Sequence, residues 1–192
     1  MEPLQQLYEH IKNISPIEDE IWEAMSDYWH EFTLGRKQVI TRIDEVEKYL
    51  YFVVDGVQRA FIERDGKEAT LVFSYTGSFS GIVDSFLLRQ PSKYCLETIT
   101  KSRLLRIHHR DFTKLMEQYR GLETWTRVAL SHTLAGTLER NIELLSYSAE
   151  ERFVTLLRRS PQVLNLIPHK YLASYIGVDP TTFSKLLGKV KV

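Results

Sequence analysis

Residues 168–180 read Pro168-His169-Lys170-Tyr171-Leu172-Ala173-Ser174-Tyr175-Ile176-Gly177-Val178-Asp179-Pro180. Pro168 suits the start of a helix, because its fixed φ fits the first turn and its missing N–H is not needed there. Gly177 suits the end, because it takes a positive φ without a Cβ clash. Asp179 and Pro180 then supply an N-cap and an N1 residue for a second helix, which carries Phe183, Leu186, Leu187 and Val190 on one face. Ala173 is small where the two helices must cross closely, and Leu172, Ile176, Val178, Phe183 and Leu186 fill the wedge between them. This is the spacing of a helix-turn-helix. Thr181, Thr182, Ser184, Lys185 and Lys189 face outward on the second helix, and His169 and Lys170 open the first. Such side chains donate to phosphates and base edges in a major groove, so the expected partner is double-stranded DNA. Lys189 and Lys191 are the expected phosphate contacts.

Upstream, Ser148-Ala149-Glu150-Glu151 forms a capping box: the Ser oxygen caps and Glu151 reaches back. It opens a helix with Phe153, Val154, Leu156 and Leu157, which stops near Ser160-Pro161. A short connection, Val163 to Ile167, leads to Pro168. Residues 148–192 hold 7 basic and 3 acidic side chains, and residues 1–147 hold 18 and 22. The zero net charge of the 192-residue chain therefore hides a basic tail on an acidic body, which suits an anionic partner.

From Asp111 to Ser146 the pattern is helical, with Phe112, Leu115, Met116, Leu122, Trp125, Leu130, Leu134, Leu138, Ile142 and Leu145 among its apolar positions. It contains no proline, and Gly121 marks the expected break. A helix from there to Ser146 is about 39 Å long at 1.5 Å per residue. Its apolar positions exceed one narrow stripe. One face packs on the chain itself and the other is left for a second copy, so a homodimer through residues 111–147 is expected. Ala129, Ala135 and Gly136 allow close helix approach.

The first 27 residues read as short helices. Leu4, Leu7, Tyr8 and Ile11 recur at helical spacing, and a second helix is expected to start at Ser15-Pro16, with Glu18 at N3. From Trp29 to Ile107 the period changes to short runs of Val, Ile, Phe, Tyr and Thr. Turn signals at Gly35-Arg36, Asp55-Gly56, Asp65-Gly66 and Thr76-Gly77 separate them, and the two Asp-Gly pairs are hairpin signals. Such spacing indicates an antiparallel sandwich or barrel. Val83, Phe86 and Leu87 place a helical turn or two inside it. Trp22, Trp29 and Trp125 read as core anchors, Asp44–Lys48 as a solvated loop, and Cys95 as a buried core thiol.

The sequence resembles the cyclic-AMP receptor/FNR (Crp/Fnr) family of bacterial transcription regulators. The resemblance rests on Tyr51-Phe52-Val53-Val54-Asp55-Gly56-Val57, Asp65-Gly66-Lys67-Glu68, the long helix, Ser148-Ala149-Glu150-Glu151-Arg152 and Leu172-Ala173-Ser174-Tyr175-Ile176-Gly177-Val178, in family order. It implies an α+β fold. The expected parts are a β-roll sensor with N-terminal helices over 1–110 (a double-stranded β-helix, the cyclic-nucleotide-binding-like jelly roll), a dimerisation helix over 111–147, and a helix-turn-helix domain over 148–192. It also implies that an effector in the roll acts through the dimer helix on the recognition helices. In the family, a Gly-Glu pair and an Arg about ten residues later hold the ribose and the cyclic phosphate. Here the stretch runs from Gly81-Ile82 to Arg89-Gln90-Pro91-Ser92-Lys93. Ile82 stands at the Glu position and Ser92 at the Arg position. Arg89 or Lys93 is left as a substitute charge, and Thr137 falls near the base-contacting position of the long helix. The expected ligand residues are therefore Gly81, Ile82, Arg89, Ser92, Lys93 and Thr137. The expected effector is a small anion other than a cyclic nucleotide held in the usual way, with a vestigial roll as the alternative. On the recognition helix, Pro180, Thr181 and Lys185 stand where guanine-reading members place Arg, Glu and Arg. A different DNA site preference follows.

Other chemistry is weighed by its residues. A single Cys excludes an internal disulfide framework and a four-thiolate cluster. The six His include no His-x-His pair of the kind a cupin-type metal enzyme uses, and His108-His109 read as the junction of the last strand with the following helix. No Gly-x-Ser-x-Gly, Walker loop or His-Glu-x-x-His occurs, so neither a catalytic residue nor a metal ligand is expected. Met1-Glu2-Pro3-Leu4 lacks a signal-peptide pattern, and no apolar run reaches membrane-spanning length. A cytoplasmic, non-membrane protein is expected. The competing readings are a ligand-binding or interaction protein with an unused helix-turn-helix, and the cupin-type enzyme.

Overall fold

The computed structural model describes residues 2–189; Val190 and Lys191, read above as an apolar-face residue and a phosphate contact, lie outside them. The chain forms two units. The first comprises the residues up to Ala60 together with Phe73–Thr133, and the second comprises Phe61–Val72 together with the chain from Leu134 onward. No helix among the described residues is long and apolar enough to cross a membrane.

The first unit opens with α1 (Pro3–Ile14) and α2 (Asp19–Ser26). The expected start of α2 at Pro16 is corrected. Ser15 ends α1, its N–H bonded to the Ile11 carbonyl, and Pro16-Ile17 runs on without helix so that Ile17 is buried. Glu18 is the residue before α2, with no side-chain cap.

Eight strands follow: β1 (His30–Leu34), β2 (Val39–Thr41), β3 (Tyr49–Asp55), β4 (Val57–Arg64), β5 (Lys67–Tyr75), β6 (Phe79–Ser80), β7 (Cys95–Thr98) and β8 (Ser102–His108). They make two four-stranded sheets, ordered β1-β8-β3-β6 and β2-β7-β4-β5. Asp65 and Gly66 both have positive φ and close a two-residue hairpin between β4 and β5, as expected. Asp55-Gly56 does not close a hairpin, because β3 and β4 belong to different sheets. The chain crosses between sheets there, and a Cβ on Gly56 would lie 2.5 Å from the Ser102 hydroxyl. The residue is glycine because the backbone passes against β8 at that corner.

The β1-β8-β3-β6 sheet divides its side chains by period two. Leu50, Phe52, Leu105 and Ile107 join Leu7, Ile11, Ile21 and Met25 of the N-terminal helices in the main core. Phe112 and Leu115 of α4 (His109–Gln118) and Leu122 and Trp125 of α5 (Arg120–Ser146) complete it. The Trp125 indole donates to the Ile11 carbonyl at 2.9 Å, fixing α5 to the end of α1. The opposite face carries Tyr51, Val53 and Leu104 into the roll. Helix α3 (Val83–Leu88) interrupts the strands as expected. The long helical segment breaks at Tyr119, where the backbone is extended. His108 and His109 mark the strand–helix junction, and the His108 ring accepts the Arg110 N–H.

The second unit holds the β4–β5 hairpin tip, the last turns of α5, and α6 (Ala149–Arg159), α7 (Val163–Leu166), α8 (His169–Tyr175) and α9 (Pro180–Lys189). The capping box at Ser148 and Glu151 is formed. The connection after Ser160 coils into α7, which buries Val163. Phe153, Leu156, Val163, Ile167, Leu172, Ile176, Phe183 and Leu186 make the core.

Candidate functional site

In the helix-turn-helix, Gly177 has φ +69°, and the Val178 N–H bonds to the Ala173 carbonyl at 3.0 Å. This closes α8 in a left-handed cap and redirects the chain into α9. Asp179 caps α9 by accepting the Thr182 N–H at 2.9 Å and the Thr182 hydroxyl at 2.7 Å, and these bonds hold its carboxyl below the ordinary range. Ala173 and Phe183 are fully buried at the crossing, with the Phe183 ring 5.2 Å from that of Phe153.

The outward residues differ in availability. Thr181 and Lys185 are exposed. Ser184 is exposed but donates back to the Pro180 carbonyl, Thr182 is tied to Asp179, and Lys189 pairs with Glu150 at 2.6 Å. His169 lies against the Phe183 ring and Lys170 over the Tyr171 ring, both with exposed surface.

The hairpin tip meets α8 in the same unit. The Ser174 hydroxyl accepts the Thr70 N–H at 2.9 Å and donates to the Glu68 carbonyl at 2.8 Å. β5 is the outer strand of its sheet, so these bonds satisfy an otherwise open edge. The sequence contained no signal for this contact, since Ser174 reads as an ordinary helical serine.

Of the expected ligand residues, Ile82, Ser92 and Arg89 are engaged with the protein itself. Ile82 is fully buried against Ala60 and Leu96, so hydrocarbon fills the position where the family places a carboxylate. The Ser92 hydroxyl donates to the Tyr94 carbonyl at 2.6 Å and is buried. Arg89 donates to the carbonyls of Glu47 (2.6 Å) and Phe86. Gly81 has φ +127° and precedes α3, Lys93 is exposed, and Thr137 lies exposed on α5 in the second unit. Cys95, expected in the core, is half-buried.

The Asp44–Lys48 run is only partly the solvated loop expected of it. Glu47 is 2% exposed. Its carboxylate accepts from the Thr41 hydroxyl at 2.6 Å and from the N–H groups of Lys48, Tyr49 and Ile82, while its own N–H donates to Ser85. Burial pushes its pKa up against the pull of these donors. It pins the loop before β3 to the start of α3.

Two cavities flank the β1-β8-β3-β6 sheet. One, of about 420 Å³, lies on the roll side and is lined by Phe32, Tyr49, Tyr51, Glu47, Arg89 and Arg106, among others. The second, of about 530 Å³, lies on the helix side between α1, α3 and α5 and is mostly apolar, with the half-buried His10 at its wall. Burial lowers the His10 pKa. Among the described residues, no group of three or more His, Cys, Asp or Glu is placed to hold a metal ion.

Residues 31–119 match the family model of the cyclic nucleotide-binding domain. No curated protein matches the chain. Solved structures do. FixK2 from Bradyrhizobium japonicum superposes with a TM-score of 0.74 at 17% identity, over 84% of this chain and 83% of that one. The c-di-GMP-responsive global regulator CLP from Xanthomonas campestris gives 0.69 at 19% identity, over 90% and 91%. A protein from Eubacterium rectale assigned to the Crp/Fnr family gives 0.71 at 16% identity, over 92% and 87%. The β-roll, the long helix and the C-terminal helices are therefore a shared architecture: residues 31–119 match the cyclic nucleotide-binding domain family, and the chain has the fold of the Crp/Fnr regulators.

Proposed function

We propose that the chain is a homodimeric, DNA-binding transcription regulator whose roll senses a small effector. The observation that carries this reading is the α8–Gly177–α9 corner, which leaves Thr181 and Lys185 exposed on a helix that begins at a capped N-terminus. Helices so presented enter a major groove, with their first residues at the base edges. The basic balance of residues 148–192 favours the same partner.

The dimer forms along α5. Leu134, Leu138, Ile142 and Leu145 are each more than half exposed on it and recur every three or four residues. A second copy covering them buries a self-complementary stripe, as a two-fold interface requires. The relay runs through α5, the dimer helix, which belongs to the first unit up to Thr133 and to the second from Leu134. Within the second unit, Glu68 and Thr70 hold Ser174 of α8, the helix that supports α9. The effector is not a cyclic nucleotide bound in the family's usual way, since Ile82 fills the ribose-carboxylate position and Ser92 carries no charge for the phosphate.

Lys185→Ala is the test. If Lys185 reads a base, specific binding falls by about 1–3 kcal/mol and discrimination relaxes at one position of the site. Anisotropy titrations on a selected site and on scrambled duplexes measure both. Equal loss on every sequence assigns Lys185 to phosphate, and no loss on any sequence removes α9 from the interface.

A further inference from the structure

We propose that the roll-side cavity is a binding site for a small organic carboxylate, anchored by Arg106 and Tyr51. The cavity adjoins the cassette segment, whose Arg89 also lines it, and its role as an effector site rests on the sensor reading above. Arg106 sits in the middle of β8, paired across the sheet with His30 on one side and Tyr51 on the other. Its guanidinium stacks over the rings of Phe32 at 4.0 Å and Tyr49 at 4.4 Å. It is half-buried and lines the cavity. Yet among the described residues it has no hydrogen bond and no carboxylate within ion-pair distance. A cation drawn out of water normally brings a counter-ion with it. Stacking on the rings holds the planar fork and leaves its N–H edge to donate.

Of the other charges at this cavity, Lys48 is exposed to solvent and the rest are engaged. Both Glu47 oxygens accept from protein donors, Thr41 and Ile82 on one and Lys48 and Tyr49 on the other. Glu45 faces Arg42, and Arg89 donates to backbone carbonyls. Arg106 is the half-buried charge left without a counter-ion. Tyr51 adds a second unanswered group. It is 3% exposed, it lines the same cavity, and its hydroxyl has no hydrogen-bond partner among the described residues. The ring is buried but the hydroxyl is not sealed off, so an occupant of the cavity can reach it.

These groups define the occupant. A carboxylate matches the guanidinium fork with two parallel hydrogen bonds and accepts a third from the phenol. Leu34, Val39 and Ile40 give its body an apolar wall. The volume of about 420 Å³ falls in the range of small-molecule sites.

The test uses the full chain with benzoate as probe, phenyl phosphate as the alternative anion and benzyl alcohol as the neutral control. Binding is followed by the Arg106 Nε–Hε resonance and by melting temperature. The expected result is saturable benzoate binding that shifts this resonance and weakens about 10- to 100-fold in Arg106→Gln. Arg106→Lys, which keeps the charge and loses the fork, should also weaken it, and serves if the Gln variant fails to fold. Equal binding of benzyl alcohol, tighter binding of phenyl phosphate, unchanged affinity in both variants, or no benzoate response at roughly millimolar concentration overturns the proposal. DNA affinity is measured separately with and without benzoate. Benzoate binding without a change in DNA affinity keeps the carboxylate site and removes the sensor reading, whereas loss of benzoate binding alone leaves the DNA-binding reading intact.

Discussion

Glu143→Ala is expected to destabilise the second unit by about 3–5 kcal/mol, the range for removing one partner of a buried ion pair. Glu143 is buried near the end of α5 and pairs with two guanidiniums, Arg140 one turn back at 3.1 Å and Arg159 at the end of α6. Arg140 also donates to the Tyr175 carbonyl and lies 4.1 Å over the Tyr175 ring. Glu143 and Arg140 together thus tie α5, α6 and the last turn of α8. Alanine leaves the Arg140 side chain, 12% exposed, without its counter-charge. Arg159 is 45% exposed and recovers much of its loss by hydration, which sets the expected value toward the lower end of the range. All three tryptophans, Trp22, Trp29 and Trp125, lie in the first unit. In urea unfolding, the helical circular dichroism should therefore shift further than tryptophan fluorescence. A loss below about 1 kcal/mol would mean that the pair is exposed in solution.

The second large effect concerns Glu47 and carries a pH signature. Burial raises its folded pKa above the value in the unfolded chain, which is about 4.3. The folded state then binds more protons than the unfolded state between the two values. Stability contributed by this group is complete below the unfolded pKa and is lost as pH rises through the folded one. The first unit should melt at a lower temperature as pH climbs out of the ordinary carboxylate range, a slope that Glu47→Gln removes. Glu47→Ala goes further. It leaves the N–H groups of Lys48, Tyr49 and Ile82 without their acceptor, each worth about 1–3 kcal/mol if no water replaces it. Melting curves of the three proteins at several pH values test this. A wild-type slope retained in Glu47→Gln would place the titrating group elsewhere.

The contrast between the two Asp-Gly pairs marks what was legible in the sequence. Asp65-Gly66 and Asp55-Gly56 are the same local signal between apolar runs. One closes a hairpin and the other carries the chain between sheets. A dipeptide encodes the turn but not the sheet in which the next strand finds its partners. The helix-turn-helix was legible because its determinants are local: Ala173, Gly177, Asp179 and Pro180 act within a few residues of one another. Glu47 was not, because its burial depends on Thr41, Ser85 and Ile82 meeting it in space, and a carboxylate within Asp44–Lys48 reads as solvated. Arg106 was hidden for the same reason: alternation along β8 gives its face, but the rings stacked on it come from β1 and β3. The start of α2 was misplaced because Ser-Pro resembles a cap and an N1 residue wherever it occurs, and here burial of Ile17 prevails.

The most direct test of the central claim is the affinity of the full chain for duplex DNA, measured by fluorescence anisotropy at several salt concentrations. The account predicts binding that weakens steeply as salt rises, with a log–log slope of about −0.9 per phosphate neutralised. Lys185 and the other basic residues of the C-terminal segment supply that slope. Absence of binding at low salt, with the helix-turn-helix folded by circular dichroism and with benzoate and cyclic nucleotides each tried as effector, would contradict it.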